Sequence, residues 1–229
     1  FYWEYYRFER YDTYFYLDGK KLARYTSKVI DEELKKLEDF FSHSLERRII
    51  FLIYNKQSEF KQSNIGLVSG NEETNIGGTA KIIRNKVFIF YEGDHQKFVT
   101  QIRAAIAEAI MIELIYGGSF RQKVSSSTMI NLPDWYYKGL ISYISENWNL
   151  DIENKVKDAL ESGKLEKFYH LADDESVYAG HAIWNFVALN YGAAVIPNIL
   201  YLTRVNKSVE SGFLYVLGTD IKSLTPLWI

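Results

Sequence analysis

The feature that most constrains the fold is an apolar segment in the middle of the chain. Residues 102–118 read IRAAIAEAIMIELIYGG, an apolar run that carries one acid, Glu108, in its first half. This pattern predicts a helix over residues 96–116. The helix falls where the predicted strands end and the predicted helices take over, so we expect it at the junction of two lobes.

The segments on either side of this helix differ in character. Before residue 95, the segments FERYDTYFYL, RRIIFLIYN and NKVFIFY read as strands, and residues 18–41 have the apolar spacing of an amphipathic helix. After residue 95 we predict only helices, over residues 134–147, 150–162, 176–191, 193–205, 207–217 and 220–227. This order predicts an α+β fold, with an N-terminal mixed sheet lobe and its helices packed beside a C-terminal helical lobe.

The composition is that of a globular protein with one substantial core. Of the 229 residues, 47% are hydrophobic and 24% are charged, with only 3 prolines. We therefore expect a single domain over residues 1–229, with a sheet lobe over 1–95 and a helical lobe over 96–229. The chain begins with FYWEYYRFER, without an initiator methionine or a signal-peptide pattern, so we also expect it to be a fragment of a larger protein.

Charge and cysteine content exclude several classes of function. The formal net charge is −2 and no basic block stands out, so nucleic acid has no electrostatic footprint on this chain. The absence of cysteine excludes disulfides, thiolate metal sites and cysteine nucleophiles. No stretch of about 18 uncharged apolar residues occurs, so we predict no transmembrane segment.

A second motif follows the apolar helix and carries a family resemblance. Residues 132–144 read LPDWYYKGLISYI. Together with the helix, this motif resembles the gluzincin (thermolysin-like) metallopeptidases, especially the peptidase-MA-like domains of bacterial envelope proteins. That family has H-E-x-x-H on its central helix and a pattern like L-P-x-W-x-x-E-G-x-A-x-Y on the next long helix, so the resemblance implies a zincin-like architecture. This chain supplies Leu132, Pro133, Trp135, Gly139 and Tyr143 of the second pattern.

The zinc ligands of the family are missing from this chain. On the family's pattern, the two histidines fall on Ala107 and Met111, and the ligand glutamate falls on Lys138. Alanine has no donor atom, a thioether is a poor zinc ligand, and a protonated lysine has no lone pair to give. Glu108 takes the place of the family's general base but has no zinc-bound water to deprotonate. The resemblance therefore implies no metal, no cofactor and no peptidase activity.

Lys138 also suggests a replacement for the metal. With the helices arranged as in the family, its ammonium would point to where the zinc ion would sit. We therefore hypothesise an ion pair between Lys138 and Glu108, although desolvation offsets much of the attraction in a buried pair. The alternative for Glu108 is an ordinary helix residue that faces solvent or pairs with a nearby base.

Four further residues are candidates for a remnant binding cleft. In NIGGTAKII, Gly77 and Gly78 would let a substrate backbone approach the edge strand that lines the family's cleft, and a plain hairpin turn is the alternative. In YAGHAIW, Tyr178 and His181 lie where the family's third pocket helix passes. For His181, an ordinary core or surface imidazole is the alternative. Together with the acid and the lysine discussed above, these four residues form the predicted cleft.

The sequence thus favours a non-catalytic role. We expect a pseudopeptidase domain that serves as a protein-binding or scaffolding module. Degenerate members of the family resemble the N-terminal part of larger envelope proteins, often followed by a β-propeller. The resemblance therefore implies a protein partner, which can be a β-propeller of the same parent chain, and a periplasmic or outer-membrane-associated location.

Two other functions stay open on the sequence alone. The first is an enzyme, in which other ligands recruit a metal or Glu108 and Lys138 act together in a metal-free hydrolase. The second is a peptide or glycan receptor that uses the remnant cleft.

Overall fold

The computed structural model describes residues 2–63, 81–117, 130–171 and 173–228. Every strand in these ranges lies before residue 91 and only helices follow in the described part of the chain, so the predicted α+β order is confirmed. The strands are β1 (Trp3–Arg7), β2 (Tyr11–Tyr16), β3 (Ile49–Tyr54), β4 (Lys81–Ile83) and β5 (Lys86–Phe90). The α-helices are α1 (Lys20–Phe41), α2 (Gln57–Lys61), α3 (His95–Tyr116), α4 (Asp134–Ser145), α5 (Leu150–Glu161), α6 (Asp173–Tyr191), α7 (Val195–Asn206), α8 (Val209–Leu217) and α9 (Ile221–Trp228).

The five strands form one mixed sheet with the order β1-β2-β3-β5-β4. β2, β3 and β5 run parallel, and α1 makes the crossover from β2 to β3. β1 and β4 pair antiparallel at the two edges, so the aromatic N-terminal arm forms an edge strand. The run IIFLIY of β3 is apolar throughout because this central strand is covered on both faces.

Alternate residues of the central strands serve two different hydrophobic clusters. Phe51 and Ile89 belong to the main core, which also contains side chains of α1 and α3. Tyr54 and Phe90 face the other way and form a smaller cluster that Phe60 of α2 covers with ring contacts to both. The sheet is therefore enclosed between helices rather than exposed on one face.

The apolar helix predicted over residues 96–116 is α3, and it lies at the centre of the fold. The Asp94 carboxylate caps its start by accepting hydrogen bonds from the backbone N–H groups of Gln96 and Lys97. The helix ends at Gly117, whose φ of 68° lies in the left-handed region that glycine adopts without strain. α3 contacts α1, α4, α7 and β5, which is the enclosed position that its apolar composition requires.

α3 and α4 run antiparallel and join the two lobes. Near the start of α3, the Arg103 guanidinium donates to the carbonyl of Ser145 at the end of α4, at 2.9 Å. One to two turns later, Glu108 accepts a hydrogen bond from Tyr137 near the start of α4. The main hydrophobic core continues through this contact from the sheet into the helical half.

α4 and α6 approach each other through two glycines. A Cβ atom on Gly139 would lie 2.5 Å from the Cα of Gly180, and a Cβ on Gly180 would lie 2.0 Å from the carbonyl oxygen of Trp135. No side chain fits in either place. Just beyond, the Trp184 indole donates to the carbonyl of Tyr136 at 3.0 Å. Gly139, which matches the family motif, therefore has a packing role in this structure.

Within the described ranges, no single helix is both long and apolar enough to cross a bilayer. α6 and α7 meet the length and composition test only as a pair, and they are bent by 117° at the break between them. Both helices place side chains in the main core, among them Trp184 and Ile199.

We expect Gly180→Ala to lower the free energy of unfolding by about 1–3 kcal/mol, because the added methyl group overlaps the Trp135 carbonyl and forces α4 and α6 apart. Alanine has a higher helix propensity than glycine, and this offsets the loss of stability by at most about 1 kcal/mol. Urea denaturation followed by circular dichroism measures the change. Asn190→Ala, at an exposed position of the same helix, is the control and should change the stability by less than about 0.5 kcal/mol. Equal stability of the two variants would contradict the close approach.

Candidate functional site

The retained acid of the family motif, Glu108, lies where α3 meets α4. The Tyr137 hydroxyl donates a hydrogen bond to Oε1 of Glu108 at 3.2 Å. Burial, together with the neighbouring Glu108 charge, raises the pKa of Tyr137 well above its usual value. The phenol therefore stays protonated and remains a donor to the carboxylate. The neutral hydroxyl group of Tyr137 therefore positions the Glu108 carboxylate.

The two positions that carry histidines in the family are packed inside the core. Ala107 and Met111 are both 0% exposed and belong to the main hydrophobic cluster. Being four residues apart, they lie on one face of α3. A methyl group and a thioether suit apolar packing, and neither offers the nitrogen or oxygen ligand that zinc prefers.

Lys138 pairs with Asp134 rather than with Glu108. Its ammonium lies 3.0 Å from a carboxylate oxygen of Asp134, four residues earlier on α4, and its side chain is exposed. The hypothesis of a Lys138–Glu108 ion pair is therefore corrected. The physical reason is that a partner one helical turn away is reached at the surface, whereas a half-buried partner requires desolvation of the ammonium.

Tyr178 connects α5 to α6. The Lys155 ammonium hydrogen-bonds to the Tyr178 hydroxyl and also lies 4.0 Å from the centroid of the Tyr178 ring. Lys155 in turn pairs with Asp151 one turn earlier on α5. Because Tyr178 makes these contacts with α5, the structure does not bring it together with Glu108.

His181 is a buried imidazole at the contact of α4 and α6. His181 is only 1% exposed, and its Nδ1 atom lies 2.9 Å from the hydroxyl oxygen of Ser142. Burial lowers the pKa of His181 to about 4, so the ring is neutral at physiological pH. The rings of Tyr143 and Trp148 lie edge-on to it, at centroid distances of 5.9 and 5.7 Å.

Two of the predicted cleft residues, Gly77 and Gly78, lie outside the described residues. The strand that follows them, β4, is an edge of the sheet and pairs antiparallel with β5. In the described part of the chain, no group of three or more His, Cys, Asp or Glu side chains is arranged to hold a metal ion.

The described residues also form a groove that the sequence did not predict. It holds about 540 Å³ and lies between α1, α6 and the residues that connect α4 to α5. Of the predicted cleft residues that the structure describes, only His181 lines it. The other lining side chains include Glu33, Arg103, Trp148 and Asn185.

An ion pair forms one wall of this groove. Arg103 of α3 donates from two guanidinium nitrogens to the two carboxylate oxygens of Glu33 on α1, at 2.7 and 3.1 Å. Burial alone would raise the pKa of Glu33, but the hydrogen bonds and charges of Arg103 and Lys36 outweigh burial and lower this pKa. The pair is therefore ionised at neutral pH and holds α1 against α3.

Sequence reasoning missed this pair, although each partner leaves a signal. Glu33 lies between Ile30, Leu34 and Leu37 on the apolar side of α1, where a charged residue needs a partner. Arg103 similarly interrupts the apolar stretch of α3. The signal indicates that each residue is paired, but not with which partner.

The second acid of α3, Glu113, anchors a loop. Its carboxylate accepts hydrogen bonds from the backbone N–H groups of Glu46 and Arg47, at 3.1 and 3.3 Å, and lies 3.2 Å from His43 Nε2. These bonds satisfy a side chain that is almost fully buried. Glu113 therefore has a structural role that connects α3 to the segment before β3.

We expect acid to destabilise the protein through His181. The folded-state pKa of His181 is about 4 and the usual value is 6.5, so between these values the unfolded chain binds a proton that the folded chain excludes. Stability should fall by up to about 3 kcal/mol as the pH decreases from 6.5 to 4. His181→Asn, which keeps a polar atom near Nδ1 but does not titrate, should lose less over this window in urea denaturation. The same loss in both proteins would show that His181 is not the group responsible.

The sequence matches no protein-family model, and it matches no curated protein. The resemblance to gluzincins therefore depends on the motif residues alone.

Proposed function

We propose that this chain is a catalytically inactive, gluzincin-like peptidase domain that serves as a protein-binding or scaffolding module of the bacterial cell envelope. The observation that carries the proposal is the burial of Ala107 and Met111 in the apolar core, at the positions of the family's zinc-binding histidines. The third ligand position, Lys138, bears a cation that pairs with Asp134 at the surface.

The arrangement of elements supports the zincin-like part of the proposal. α3 follows a mixed sheet whose edge strand β4 is antiparallel to its neighbour, the order that the resemblance implies for the family's central helix. α4 bears the second motif and crosses α3 antiparallel, so that Tyr137 meets Glu108. These are the contacts expected if a former catalytic base now accepts a hydrogen bond from the helix that once supplied a ligand.

The chemistry of the remnant site supports an inactive domain. A zinc ion lowers the pKa of its bound water to about 7, which allows a neighbouring glutamate to remove the proton. Neither Ala107 nor Met111 offers zinc a nitrogen or oxygen ligand, and Lys138 is a cation. Without such activation, water has a pKa near 15.7 and a carboxylate such as Glu108 cannot deprotonate it efficiently.

The helical lobe supports the protein-binding part. α7 and α8 pack against each other and expose apolar side chains, including Tyr201 at 59% and Tyr215 at 67%. Val205 and Leu214 on the same two helices are also exposed. Clustered exposed apolar side chains are typical of a surface that binds another protein. The envelope location and a β-propeller as partner come from the family resemblance.

A zinc and hydrolysis experiment tests the loss of catalysis. We expect isothermal titration calorimetry to detect no zinc site tighter than about 100 µM, because the ligand positions lack donors. We also expect unfolded casein to stay intact with the wild-type domain, with or without added zinc. Glu108→Gln is the matched variant, since it removes the carboxylate and keeps an acceptor for Tyr137. Casein cleavage that the wild type performs and Glu108→Gln does not would establish an enzyme instead.

A pull-down experiment tests the binding role. We expect the domain to retain a partner from bacterial envelope extracts, and the double variant Tyr201→Glu/Tyr215→Glu to retain at least tenfold less of it, because charges replace apolar contact area. Lys222→Glu, an exposed charge change on α9, is the control and should leave retention unchanged. Equal retention by the double variant and the wild type would exclude the α7–α8 surface as the binding site.

A further inference from the structure

The groove between α1, α6 and the α4–α5 connection has features that the proposed function does not use. Neither Glu108 nor Lys138 lines it, so it is a separate place from the remnant peptidase site. Its volume of about 540 Å³ falls within the range of small-molecule sites. The inference drawn from it is independent of whether the domain has lost peptidase activity.

A buried imidazole lies at the inner end of the groove. His181 is 1% exposed, and its Nδ1 is occupied by the Ser142 hydroxyl at 2.9 Å. Among the described residues, no protein group hydrogen-bonds to Nε2, although His181 lines the groove. A polar atom that the fold holds in place without a partner is a group available to a ligand.

The charged side chains that line the groove balance in number. Glu33 and Glu146 are the lining acids, and Lys36 and Arg103 are the lining bases. Glu33 is bonded by both of these bases, at 3.2 Å from Lys36 and 2.7 Å from Arg103. Glu146 accepts a hydrogen bond from the Asn149 amide instead. The lining therefore carries no net charge, which favours a neutral ligand.

The remaining polar side chains suit hydroxyl groups. Asn147 and Asn185 line the groove, and within the described ranges no protein group binds their side-chain amides. The Tyr143 hydroxyl likewise has no protein partner in those ranges, and it borders the same space. Each amide offers both donors and an acceptor, and each sugar hydroxyl is both donor and acceptor, so the two match in several orientations.

An exposed aromatic ring completes the site. Trp148 lines the groove and is 40% exposed, with its ring centroid 5.7 Å from that of His181. An indole ring presents a flat apolar face, and polar side chains such as Asn147 and Asn185 line the same groove. This combination is suited to a ligand whose one face is made of C–H groups and whose edge carries hydroxyls.

We propose that this groove binds a short neutral saccharide, with one sugar ring on Trp148 and its hydroxyls bonded to His181 Nε2 and to the amides of Asn147 and Asn185. An extended peptide fits less well, because only helices and a connecting segment line the groove. No strand edge is among the lining residues to pair with a peptide main chain.

The test is a titration of the ¹⁵N-labelled domain with neutral tetrasaccharides, followed through the indole N–H signal of Trp148. The probes are cellotetraose, chitotetraose (N-acetylated), maltotetraose and mannotetraose. We expect at least one to shift this signal in a saturable way. Trp148→Ala and, separately, Asn185→Ala should weaken the binding at least tenfold, while Lys222→Ala at an exposed position of α9 should leave it unchanged.

Three results would overturn the proposal. One is that none of the four saccharides shifts the Trp148 signal of the folded domain. Another is that binding survives Trp148→Ala and Asn185→Ala, which would place the site elsewhere. The third is that a proline-rich decapeptide shifts the Trp148 signal and the saccharides do not, which would identify a peptide site. All variants are at exposed or half-buried positions, and circular dichroism verifies that each is folded.

Discussion

The burial of α3 is the constraint on which the rest of the structure depends. Ile106 and Ile110 are fully buried, and each contributes roughly 2–3 kcal/mol when it is removed from water. Because the helix is apolar on most of its surface, protein must cover it on several sides. The sheet and α1 cover one side, α4 and α7 cover others, and the two lobes therefore share one hydrophobic core.

The few charged residues of α3 decide how its neighbours are oriented. Arg103 binds Glu33 of α1 and the end of α4, Glu113 binds the segment before β3, and Glu108 receives the Tyr137 hydroxyl of α4. A charged group in such surroundings is costly unless it is paired, so each pair forms in one arrangement of the elements. Glu108 is therefore one of three charged side chains that connect α3 to the rest of the molecule.

The packing of α4 against α6 separates the two sites that we propose. Close approach at Gly139 and Gly180 sets the distance between α4 and α6, and it places His181 beside Ser142. Tyr137 lies on α4 toward Glu108, while Tyr143 borders the groove. A remnant peptidase site and a groove for a small ligand can thus be adjacent without sharing side chains.

The sequence by itself determined the α+β order of the elements and the absence of zinc-ligand side chains at positions 107, 111 and 138. Helix α3, strand β3 and the residue types of Ala107 and Met111 are local properties, which periodicity and composition reveal. Only the tertiary structure decided which side chains meet. Glu33 and Arg103 are 70 residues apart, and their contact exists because α1 and α3 pack on the same face of the sheet. Lys138 shows the limit of prediction from sequence. Its predicted partner, Glu108, was inferred from an assumed packing of helices, whereas the structure pairs it with Asp134, one turn away on its own helix.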